Sequence, residues 1–178
     1  ILQYNIYTNT DNKNKKTLVR YPTAKEGTEF TVPTYVESLY NCAFSECLKL
    51  ETVNIHDGVS MENTVFQSNT VIKNVTLPSG LTTIPSSTFH GCSSLEKIVI
   101  PGGVTTIESQ AFQQCSGLTE IIIPASVTEI SNNAFYYISG SFVVKYRGTE
   151  EQKGQISIGT EGNEALTSAT WQCNYTGD

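Results

Sequence analysis

Apolar and polar positions recur along this chain with a period of about 23 residues. The clearest unit is LEKIVIPGGVTTIESQAFQQC, with apolar positions at Leu95, Ile98, Ile100, Val104, Ile107, Ala111, Phe112 and Cys115. The pattern restarts at Leu118, Ile121 and Ile123. Earlier units start at Gly27, Leu50 and Ile72, and a decayed one starts at Ser141. Five of the seven phenylalanines (Phe44, Phe66, Phe89, Phe112 and Phe135) fall in one register of this repeat. Alternation at the fourth and sixth positions of a unit predicts a short strand with those two side chains inward. Proline follows it at Pro33, Pro78, Pro101 and Pro124, and ends the strand because it has no N–H for a ladder. A second short apolar pair, such as Val104 and Ile107, comes next. A turn-rich segment then packs an Ala-Phe pair and returns the chain. Each unit thus adds one coil to a parallel-stranded solenoid.

The unit from Leu50 departs from this pattern. Val59 to Phe66 is one residue shorter than Val104 to Phe112, His56 replaces proline, and Asn69 takes the cysteine position. A local distortion is expected there, with Met61 moved into the Ile107-type position. His56 reads as a surface substitution at a strand end. Two segments lie outside the repeat. In residues 1–26, ILQYNIYTN and KKTLVRYP alternate apolar with polar residues around TDNKNK, which predicts a β-hairpin. Beyond Ser141 come FVVKY, a polar EEQKGQ segment, ISI and ATWQCNY, read as a terminal cap closed by Ile156, Ile158, Trp171 and Tyr175. The expected organisation is one solenoid domain over 1–178. It comprises a capping hairpin (1–26), five repeats (27–140, starting at 27, 50, 72, 95 and 118), and a decayed repeat with its cap (141–178).

Composition narrows the function classes. A hydrophobic content of 38% suits a solenoid, whose core is a narrow strip. A net charge of −6 argues against a nucleic-acid partner. The basic cluster Lys13, Lys15 and Lys16 sits among Asn and Asp and reads as a solvated turn. No apolar run approaches the ~18 residues of a membrane span. Cys47, Cys92 and Cys115 share one register, which favours buried free thiols over a disulfide or a reactive nucleophile. The cysteines include no CxxC, so no zinc pattern, metal site or cofactor is expected. His56 and His90 lie at different registers without a paired nucleophile, and the HExxH, GxSxG and P-loop motifs are missing, so no catalytic residue is assigned. Asn74-Val-Thr and Asn174-Tyr-Thr match glycosylation acceptors, a weak signal without a secretory context.

The unit LEKIVIPGGVTTIESQAFQQC resembles the BspA-type leucine-rich repeats, a class found in bacterial surface proteins and some protozoan parasites. KKTLVRYP with EGTEFTVP resembles the lead-in hairpin of that class. The segment from YRGTEEQ to NY resembles the terminal cap of versions from gut Firmicutes, with Lys153 where tryptophan is expected. The resemblance implies a leucine-rich repeat solenoid. That is a β-rich, right-handed, curved coil with short parallel strands on the concave face and irregular turns on the convex side. It also implies a secreted or cell-surface location and, in some members, adhesion.

Such solenoids bind mostly on the concave sheet, where the third and fifth residues of each unit point outward. Those positions are Thr52 and Asn54, Asn74 and Thr76, Lys97 and Val99, Glu120 and Ile122, and Val143 and Lys145. Val99, Ile122 and Val143 among Lys97, Glu120 and Lys145 suggest an apolar centre with a charged rim, as in a protein-binding patch. The bland reading is that exposed β-branched residues simply favour strands. The expected function is therefore a non-catalytic, monomeric binding scaffold for a host or microbial surface protein. The alternative is a spacer or targeting module of a larger surface protein.

Overall fold

The computed structural model describes residues 5–9 and 15–177. Ile1 to Tyr4 and most of the TDNKNK loop, Lys13 included, lie outside the described residues. Strands β1 (Asn5–Asn9) and β2 (Lys15–Arg20) form an antiparallel hairpin. Lys15 and Lys16 therefore open a strand rather than sitting in a turn.

Each repeat then contributes two short strands. They are β3 (Glu29–Thr31) and β4 (Ser38–Leu39), β5 (Thr52–Asn54) and β6 (Ser60–Met61), β7 (Asn74–Thr76) and β8 (Thr83–Ile84). The series continues with β9 (Lys97–Val99) and β10 (Thr106–Ile107), then β11 (Glu120–Ile123) and β12 (Glu129–Ile130). Past Ser141 come β13 (Val143–Tyr146), the short helix α1 (Glu150–Lys153), β14 (Ser157–Ile158), α2 (Glu164–Thr167) and β15 (Thr170–Gln172).

The first strands of successive coils pair in parallel, and so do the second strands, which makes two ladders along the solenoid. The hairpin joins the second ladder through β2 and β4. The segment from 141 continues both ladders, with β13 on β11 and β14 on β12. Its polar stretch is helical because Thr149 and Gln152 form a reciprocal capping box.

The core is built from columns of identical positions. Phe44, Phe66, Phe89, Phe112 and Phe135 are fully buried and stack face to face, with centroids 5.1–5.3 Å apart and planes within 5–15°. Each such pair adds about 0.5–1.5 kcal/mol beyond its burial. The turns around the phenylalanines close by i to i+3 bonds, as from Ala111 N–H to the Glu108 carbonyl and from Cys115 N–H to the Phe112 carbonyl. Gln110 and Gln114 are the third residues of these turns and have φ near +60°. That is the type II arrangement, which glycine adopts without strain. The same two registers recur as Thr64, Ser87 and Asn133, and as Ser68, Gly91 and Tyr137.

The cysteine column is a second internal ladder. Cys92 Sγ–H donates to the Phe66 carbonyl (3.2 Å) and Cys115 Sγ–H to that of Phe89 (3.0 Å). All five cysteines are free thiols. Burial pushes Cys47 up to about 11 and Cys115 up to about 12, far from reactive thiolate. Asn69 is fully buried in this column. Its amide donates to the Phe44 carbonyl at 3.2 Å, and its Oδ1 accepts from Ile72 N–H at 3.1 Å.

Neither ladder is continuous. β7 and β9 lie in different sheets, and so do β6 and β8. The second break has a visible cause. In successive coils, Glu62, Glu108 and Ser131 donate their N–H to the carbonyls of Leu39, Ile84 and Ile107. The residue of that register facing Met61 is Pro85, which has no N–H to give. Met61 does take the Ile107-type position, paired with Leu39 and packed on the core. The coil's shorter spacing is absorbed with Met61 in register, and the opening beside it traces to Pro85 of the next coil. A cleft of about 310 Å³ lies there, lined by Gly58, Val59, Ser60 and Met61 on one side and by Gly80 to Thr83 and Pro85 on the other.

Candidate functional site

The outward positions of the first ladder follow from strand alternation. In β11, Ile121 and Ile123 enter the core, so Glu120 and Ile122 face the other way. Parallel register places Thr52 beside Asn74, Asn54 beside Thr76, Lys97 beside Glu120, Val99 beside Ile122, and Ile122 beside Lys145.

Across the first three coils the face is polar and linked. Thr76 Oγ1–H donates to Asn54 Oδ1 (3.1 Å), and Asn54 Nδ2 donates to Glu29 Oε1 (2.9 Å). Asn74 and Thr76 are exposed, and Thr52 and Asn54 are half-buried. Across the later coils the face is a charge cluster. Glu120 accepts from Lys145 Nζ at 2.6 Å and from Lys97 Nζ at 3.0 Å. The Lys145 hydrogen bond, with Lys97 adding to it, holds the Glu120 carboxyl below the usual range. Lys145 also lies over the Tyr175 ring, 4.9 Å from its centroid.

One expectation fails here. Ile122 was expected to be an exposed element of an apolar centre, but it is fully buried while lying outside the core cluster. The register explains this. Lys145 stands beside Ile122 but reaches Glu120, two residues back along the neighbouring strand, so its stem leans over the apolar surface. Val143 is half-buried, which leaves Val99, at 40% exposed, as the open apolar residue of this group. Tyr175 likewise belongs to this outer face and not to the core, whereas Ile156 is buried and Ile158 and Trp171 pack against the core. The ion cluster was readable in the sequence as opposite charges at facing registers. The contribution of Tyr175 was not, because it follows the repeats.

The histidines are engaged separately. The His56 ring nitrogens meet the Asp57 and Pro33 carbonyls, and His90 Nε2 meets Gln114 Oε1. Among the described residues no group of three His, Cys, Asp or Glu side chains is placed to hold a metal ion. No helix there is long and apolar enough to cross a membrane.

Comparison with known families matches residues 23–140 to the BspA type leucine rich repeat region, in six copies. The chain belongs to this family. Among solved structures, a leucine rich cell surface protein from Faecalibacterium prausnitzii A2-165 is 32% identical with a TM-score of 0.77. The match covers 85% of this chain and 40% of that one, so this chain spans less than half of that relative's length. The Treponema pallidum leucine rich repeat protein is 22% identical (TM-score 0.66), with 88% of this chain and 78% of that chain covered. A leucine-rich repeat protein from Eubacterium ventriosum is also 22% identical (TM-score 0.65), with 92% and 49% covered. These two share the fold. The search of curated proteins returned no match. The BspA-type assignment agrees with the observed architecture of parallel ladders, Ala-Phe turns and one coil per repeat.

Proposed function

We propose that this BspA-type chain is a non-catalytic, monomeric binding scaffold of a bacterial surface, which engages a protein ligand through the outward face of its first ladder. The cell-surface relative from Faecalibacterium supports the location. The face itself carries the reading. Its side chains make no contribution to the core cluster, yet hydrogen bonds tie Thr76, Asn54 and Glu29 in a polar half and ion pairs tie Lys97, Glu120 and Lys145 in a charged half, with Val99 exposed beside them. A pre-ordered polar surface with one exposed apolar residue loses little side-chain entropy on binding. The residues assigned to contact are Thr52, Asn54, Asn74, Thr76, Lys97, Val99 and Glu120, with Val143 and Lys145 at the margin. Ile122 supports them from below.

The test is binding of the purified chain to a panel of extracellular-matrix and bacterial surface proteins, repeated with Val99→Glu and Asn54→Arg. Loss of a wild-type interaction in both variants, with unchanged circular dichroism, is the expected result. Binding that survives both substitutions overturns the assignment of this face. No binding to any panel member leaves the spacer as the better account.

A further inference from the structure

The two ladder breaks lie on one seam. The ladder bonds stop between β7 and β9, which still lie side by side, and between β6 and β8, so the seam divides everything up to Thr76 from everything from Thr83 on. The chain crosses it once, through Leu77-Pro78-Ser79-Gly80-Leu81-Thr82. On the turn side the same seam is closed. Thr64, Phe66 and Ser68 donate their N–H groups to the carbonyls of Ser86, Thr88 and His90 at 3.0, 2.9 and 2.7 Å. Phe66 stacks on Phe89 at 5.2 Å with planes 5° apart, and Cys92 reaches back to the Phe66 carbonyl. Two side-chain bonds add to this, from Ser94 Oγ–H to the Thr70 carbonyl (2.6 Å) and, at the corner between the ladders, from Ser79 N–H to Asp57 Oδ1 (2.7 Å).

A seam hydrogen-bonded along one edge, with no ladder bonds along the other two and only apolar packing across them, has the mechanics of a hinge. Core residues record the opening. Val75 is half-buried, whereas Phe30, Val53, Ile98, Ile121 and Val144 at the same register are buried. The cleft between β6 and β8 gives the space into which the bodies can close.

We propose that the solenoid is two rigid bodies, β1–β7 and β8–β15, hinged along the Phe66–Phe89 contact, with Pro85 keeping the strand side from zipping shut. The hinge divides the proposed binding face. Thr52, Asn54, Asn74 and Thr76 ride on one body, while Lys97, Val99, Glu120 and Lys145 ride on the other. Opening changes the spacing of the polar and charged halves, so a ligand spanning both selects one hinge angle. This last consequence rests on the binding reading; the hinge itself does not.

The test uses the full chain free of ligand, so its failure and that of the binding reading are separable. Backbone residual dipolar couplings are measured in one alignment medium and fitted separately for residues 15–76 and 83–177. Wild type is expected to need two alignment tensors of different magnitude. Pro85→Ser restores a donor at this register, where Ser131 already donates to Ile107. This variant is expected to fit a single tensor, with exchange of the Thr83 amide slowed about tenfold, as one closed ladder bond of about 1 kcal/mol implies. A single tensor for both segments of wild type overturns the hinge.

Discussion

Asn69 offers the sharpest test of how the irregular coil is held. Its side chain does two jobs in a site closed to water. It caps the Phe44 carbonyl, as cysteine thiols do for the preceding phenylalanine in later coils, and it accepts from Ile72 N–H. In regular coils the second job belongs to the main chain, since Leu95 and Leu118 donate to the carbonyls of Cys92 and Cys115. Asn69→Leu keeps the branched shape but leaves one buried acceptor and one buried donor unpaired. Each orphan costs about 1–3 kcal/mol. The extra apolar burial returns about 1 kcal/mol. The net loss is about 3 kcal/mol, or roughly 6–12 °C in melting temperature for a domain of this size. Asn69→Cys retains a donor for Phe44 and loses only the acceptor, so its loss is about half as large. Urea unfolding followed by far-ultraviolet circular dichroism measures both. If Asn69→Leu unfolds within 0.5 kcal/mol of wild type, or if Asn69→Cys is the worse of the two, the side chain does not carry these bonds.

Two further outcomes follow from the geometry. Gln114→Gly relieves a left-handed residue at the register where Gly91 already sits. Removing about 1–2 kcal/mol of backbone strain, against about 0.5–1 of lost chain entropy and the loss of the exposed His90–Gln114 hydrogen bond, should raise stability by up to about 0.5 kcal/mol, while Gln113→Gly next door lowers it; thermal melts of the pair decide. The Glu120 carboxyl has a folded-state value below its unfolded one, about 4.3, because Lys145 and Lys97 hold it. Its stabilisation is therefore complete above that pH and is lost as pH falls through the depressed folded value. Wild type should exceed Glu120→Gln by at most about 1 kcal/mol at pH 6, and the gap should close toward pH 3; a gap that is constant with pH counts against the ion cluster.

The fold was legible because the repeat marks itself at many positions. Phenylalanine, cysteine and proline each return at fixed offsets, and the columns they predicted are the columns found. The left-handed turn residues were not legible. Glycine is the signal for that backbone, and this chain uses Gln, Ser, Thr and Asn at most of those sites. Nor was the seam. Pro85 looks like another strand-ending proline until the register shows that its missing N–H faces the Met61 carbonyl. On the outer face, alternation gave the direction of Ile122 correctly. It could not give its cover, which depends on how far the Lys145 side chain reaches along the neighbouring strand.

The stacking of like on like also bears on how fast such a molecule can form. Through the repeats, bonds between coils join residues about one coil apart, as the separations of 21, 22, 25 and 26 along the chain show. No early step has to close a loop much longer than one coil, whatever the total number of coils. A typical separation of about 23 residues in 178 places the chain's relative contact order at about 0.13, among mixed α/β domains rather than slow all-β sandwiches. A chain leaving the ribosome can therefore add each coil to a finished surface as soon as it emerges.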